Sequence, residues 1–132
     1  MNPFNVHTEH NAVPNVDGTA LGYSLADLTG IHPGLDLIAD GLRLIAHDRL
    51  TTAQTQLILV ALAGSADSSD LLAAVGQSVA RLTDSDTNPA LRTLPFDQQS
   101  IAFKEGYSIS LELTDTALRE ITARANAALD TH

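Results

Sequence analysis

The stretch TTAQTQLILVALAG, residues 51–64, decides the fold. Thr51 and Gln54 have the spacing of a capping box, in which the two side chains satisfy backbone N–H groups at a helix start. Leu57 to Ala63 then run without a polar residue. A half-wet strand would alternate, and a surface helix would carry polar residues on one side. Neither pattern occurs here, and Gly64 follows as a helix stop. The stretch therefore predicts a helix over 52–63 that is apolar all round, central and buried.

Outward from it, the flanking segments repeat one packing period. Leu35, Ile38, Leu42 and Ile45 follow Pro33 at spacings of three, four and three, and proline suits a first helical position. Asp36, Asp40, Arg43 and His47 fall on the opposite side. Leu72, Val75, Val79 and Leu82 repeat the spacing behind Ser68 or Ser69 as cap, and Leu118, Ile121, Ala125 and Ala128 repeat it behind Thr114. Ser24 predicts a capped turn through Leu28 that Gly30 ends. Residues 84–95 read as a connection with one turn begun by Asn88 and Pro89. Asp97 is expected to cap a short helix that Gly106 stops. Beyond it, Tyr107, Ile109, Leu111 and Leu113 alternate with Ser108, Ser110 and Glu112, the two-residue period of a half-buried strand. The fold expected is mainly α, about five helices around 52–63 with a small β element near 107–113; α+β is the alternative. Residues 1–22, broken by Asn2, Pro3, Asn5, Asn11, Pro14, Asn15 and Gly18, are expected as a flexible arm. Residues 23–132 are expected as a single helical domain.

Composition narrows the function. Sixteen acidic residues against seven basic ones give a net charge of −9 over 132 residues. Phosphate backbones repel such a chain, and two tyrosines with three phenylalanines offer little base stacking. Nucleic acid and anionic membranes are therefore not expected as partners, whereas a basic protein suits the field. No apolar run reaches the roughly 20 residues of a membrane span, and the N-terminus lacks the basic start and apolar core of a signal peptide. The expectation is a cytoplasmic protein or part of a soluble assembly. With no cysteine there is no disulfide and no thiol chemistry.

Four motifs bear on chemistry. Asp84-x-Asp86-x-Asn88 opens like a calcium loop, but Pro89 stands where the turn needs glycine and Pro95 where the bidentate glutamate belongs. An acidic solvated loop accounts for these residues. His7 and His10 are spaced to share a metal only if their segment is helical, and no third ligand is placed by spacing, although His32, His47 and His132 are available. Asp40 and His47 on one helix face are the candidates for acid–base catalysis, yet any amphipathic helix turns such groups outward. Residues 50–82 have the outline of a helix-turn-helix, but the second helix offers Asp70, Gln77, Ser78 and a single Arg81 to DNA. No cofactor is expected.

The reading that remains is a non-enzymatic protein-interaction or assembly subunit, acidic and oligomeric. The alternative is a small acidic regulator or inhibitor that masks a basic partner; an enzyme built on dispersed residues comes third. The contact elements expected are Phe4 and Val6 on the arm, Tyr107, Ile109, Leu111 and Leu113 on the strand, and Ala125 and Ala128 on the last helix, with self or other protein subunits as partners. Because the calcium and histidine patterns are both incomplete, thermal melting should be the same in excess calcium, excess zinc and chelator. A rise of several degrees with either ion would contradict this.

Overall fold

The structure, a computed structural model, describes residues 12–67 and 69–130. Those residues are mainly helical and divide into two compact units between Thr51 and Thr52. Phe4, Val6, His7, His10, Ser68 and His132 lie outside the described residues.

The first unit contains α1 (Ala20–Leu28) and α2 (Pro33–His47). Thr19 caps α1 by accepting the N–H of Gly22, and His32 caps α2 through Nδ1, 2.8 Å from the N–H of Gly34. Pro33 opens α2 as its spacing predicts. α1 begins before Ser24 because the preceding residues are held. Val16 is buried with Leu25 and Ala39, and its N–H donates to His47 Nε2 at 3.2 Å. Gly22 is required by close approach, since a Cβ there would overlap the carbonyl of Val16. Gly18 and Gly30, at φ 82° and 88°, make the left-handed turns on either side of α1.

The second unit begins with α3 (Thr52–Leu59), which loosens into a π-helical segment, Val60–Gly64. α4 (Leu71–Leu82), a short 3-10 turn (Pro89–Thr93), α5 (Phe96–Leu113) and α6 (Thr116–Ala127) follow. Asn88 caps the 3-10 turn, as Asn88-Pro89 predicts. The broadest contact joins α4 to α5. It is a seam of small residues: a Cβ on Gly76 would lie 3.1 Å from Ser110 Cα and from Leu113 Cβ, and one on Gly106 would overlap the Thr83 hydroxyl. At the π-helical segment, a Cβ on Gly64 would lie 2.8 Å from Thr122 Cγ2 of α6.

One ion pair holds these helices in register. Asp70, not Ser69, caps α4 by accepting the N–H of Ala73 at 3.0 Å. Its carboxylate also accepts the N–H of Ser65 at 3.2 Å. Arg119 of α6 closes on it with two bonds, Nε to Oδ2 at 3.0 Å and Nη2 to Oδ1 at 2.5 Å. The side chains are 0% and 5% exposed, respectively. Burial pushes the Asp70 pKa upward, but the Arg119 hydrogen bonds, the two backbone N–H donors and the guanidinium charge outweigh it and hold it below the ordinary value.

Several expectations change. No strand forms among the described residues: 107–113 is the C-terminal part of α5, and Gly106 lies inside the helix. The alternation misleads because Tyr107/Leu111 and Ile109/Leu113 are also pairs four apart, so the same seven residues satisfy a helical period. Asp97 sits in the first turn of α5 behind Pro95 rather than capping it, and Asp115, not Thr114, caps α6. The 52–63 helix forms, but none of its residues is buried; Leu57 is 73% and Val60 38% exposed.

Breaking the ion pair by Asp70→Asn leaves Arg119 buried without a counter-charge, and should cost about 3–5 kcal/mol in denaturant unfolding. Because the folded pKa of Asp70 is lowered, its contribution is complete above the ordinary carboxylate value and is lost as pH falls through the lowered one. Wild-type stability should therefore fall in strong acid more steeply than that of Asp70→Asn. Equal acid slopes would contradict the assignment.

Candidate functional site

α5 presents two faces of different chemistry. Gln99, Ser100, Ala102, Gly106, Ser110 and Leu113 are its buried or half-buried positions, and of these Gly106, Ser110 and Leu113 meet α4 and its cap Thr83. Phe96, Phe103, Tyr107 and Leu111, spaced seven, four and four, fall within about 80° of one another on the helix. They are 84%, 50%, 55% and 53% exposed. Together they put large apolar side chains on one exposed face. At the start of the stripe, Phe96 and Phe103 line a notch of about 240 Å³ with Gln99, Ser100 and the turn Asp84–Asp86. Arg92 stiffens that turn by donating to the carbonyls of Ser85 and Asp86 at 2.8 and 3.2 Å.

Of the interaction residues expected from sequence, Tyr107 and Leu111 share the stripe. Ile109 lies about 160° from Tyr107 on a helix, so the two do not act together, although Ile109 is 43% exposed. Leu113 is half-buried, turned to Gly76. Ala125 and Ala128 are exposed on and just beyond α6. Phe96 and Phe103 were missed by the sequence reading. The signal was present, because 96, 103, 107 and 111 keep one helical face, but a helix ended at Gly106 hides it.

Asp40 and His47 border one open cavity of about 310 Å³ with Arg43 and Leu44. They form no acid–base pair. His47 Nε2 is taken by the N–H of Val16, and Asp40 has no hydrogen-bond partner among the described residues. Arg43 Nη1 meets Asp17 Oδ1 at 3.2 Å. The polar face of α2 thus fastens residues 16–17. Asp84 accepts the N–H of Asp86, while Asn88 caps the 3-10 turn and donates to the carbonyl of Leu82, so the calcium-like trio serves a turn. Among the described residues, no group of three or more histidine or acidic side chains is placed to hold a metal.

Other polar features lie elsewhere. Asp67 accepts hydrogen bonds from Ser65 and Ser69, which lower its pKa. A cavity of about 290 Å³ lies between the π-helical segment and the end of α6, with Asn126 and Asp130 in its wall. Gln56 donates to the Asn126 carbonyl and to Asp130 there, and Asn126 Oδ1 is shut from solvent with no partner. Arg49 is 7% exposed with no hydrogen bond to its guanidinium, and none of these three cavities reaches it.

Comparison with family models, with curated proteins and with solved structures finds no match to this chain. No described helix is long and apolar enough to cross a membrane. The helical assignment of 107–113 has a direct check. Ile109→Pro should remove at least about 3 kcal/mol of stability and lower the helical circular dichroism. A strand at this place would leave that signal intact.

Proposed function

We propose that this chain is a non-enzymatic protein-interaction subunit that docks another protein chain on the exposed stripe of α5. The observation that carries the reading is four large apolar side chains, all at least half exposed, on one face of an 18-residue helix whose adjoining face packs on α4. Covering them removes apolar surface from water, at roughly 25 cal/mol per Å² before the costs of association.

A second observation favours the same reading. The 52–63 helix is patterned for burial on every side, yet Leu57 stands 73% exposed. Such a pattern suits a helix that becomes central only when a partner closes over it. The protein then works inside a soluble assembly, and its own fold supplies the platform.

Phe103→Asp and Leu111→Asp test this. Both positions are half exposed, so the purified variants should keep the helical signal and melt close to the wild type. The native mass of the complex recovered from the source cell should fall to that of the single chain. Variants that unfold would make the stripe a core face, and a retained complex would remove its role in docking.

A further inference from the structure

We propose that the chain covering α5 presents a basic amphipathic helix, with apolar side chains on Phe103, Tyr107 and Leu111 and an arginine or lysine in the notch at Phe96. The inference rests on the docking reading above and adds the chemistry of the partner. The notch is lined by two aromatic residues, Phe96 and Phe103, and by Asp84 and Asp86 of the turn. Neither carboxylate is in an ion pair among the described residues. Asp84 Oδ1 accepts the backbone N–H of Asp86 at 2.9 Å, and the Asp86 side chain accepts nothing. Arg92 is the nearby cation, but its bonds go to the carbonyls of Ser85 and Asp86, so it shapes the turn without pairing the acids.

A long cationic side chain matches this arrangement. Its methylene stem lies against the phenylalanine rings, its charge meets the ring faces and the two carboxylates, and about 240 Å³ gives it room. The stripe beyond the notch takes the apolar face of a helix, the groove mode of recognition in which anchors recur at three, four and seven residues. Charge selects against the other occupants. The notch carries Asp84 and Asp86, and the whole chain stands at −9. A second copy of this chain, an anionic membrane or a nucleic acid would bring like charge to the same surface.

The probe is a fluorescein-labelled leucine–lysine amphipathic helix of about 18 residues, a length that sustains helix formation. Its control replaces every lysine by glutamate. Binding to the full chain is read by anisotropy at low and moderate salt. The lysine peptide should bind and weaken with salt, and the glutamate peptide should not bind. Asp84→Asn/Asp86→Asn and, separately, Phe103→Ala should each weaken binding about tenfold. Equal binding of both peptides, binding of neither, or full affinity in the Asp84→Asn/Asp86→Asn variant would overturn the proposal. Its failure is distinct from failure of the docking reading: if Phe103→Asp still dissolves the native complex, the stripe docks a partner of other charge. If that complex survives, the docking reading itself falls.

Discussion

The second unit turns on one buried pair of opposite charges. Asp70 ends a loop, starts α4 and receives Arg119 from α6, with both side chains almost wholly out of water. A pair in this position adds little net stability compared with apolar side chains of the same shape, but either charge alone would be costly. Its effect is therefore positional. α4 cannot slide or turn against α6 without stranding a charge. Ser65, bound to the same carboxylate, ties the end of the π-helical segment to that point. Buried hydrophobic mass does not do this work, because the buried apolar side chains among the described residues are Val16, Leu25, Ala39 and Ala73.

With position fixed by charge and by a seam around Gly76, Gly106 and Ser110, four large side chains of α5 are left over. Gly76, Gly106 and Ser110 bring the two backbones close, and Phe96, Phe103, Tyr107 and Leu111 point elsewhere. A helix that packed through its bulky residues would hide them. One that packs through its small residues displays them, at the expense of apolar surface in water. That division of labour supports a docking function more directly than any polar group in the chain. His47 instead accepts the N–H of Val16, and Asp84 and Asn88 fasten a turn.

Much of this was legible in the residues. The spacing behind Pro33 and the pairing of Asn88 with Pro89 led to α2 and the 3-10 turn, because local chemistry decides those elements. Helix caps were harder: Asp70 stands one residue beyond Ser69 and Asp115 one beyond Thr114, and their choice depends on Arg119 and on geometry several residues away. The 107–113 segment was misread for a physical reason. Seven residues with apolar positions two apart fit both periods, and Gly106 reads as a stop unless the contact with Thr83 is known. The stripe was lost with it, since Phe96 and Phe103 belong to the same face only if the helix continues. The apolar run at 57–63 predicts a buried helix, and no residue of α3 or of the π-helical segment is buried among the described residues.

The central claim is that one face of α5 is open in the folded chain and covered in the assembled one. Photo-cross-linking inside the source cell measures this at single positions. A benzophenone amino acid replaces Tyr107 in one variant and Ile109, about 160° around the helix, in another. The account predicts one discrete adduct from position 107, joined to a lysine- or arginine-rich segment of the captured chain, and none from position 109. Adducts of equal yield from both positions, or none from 107, would contradict it.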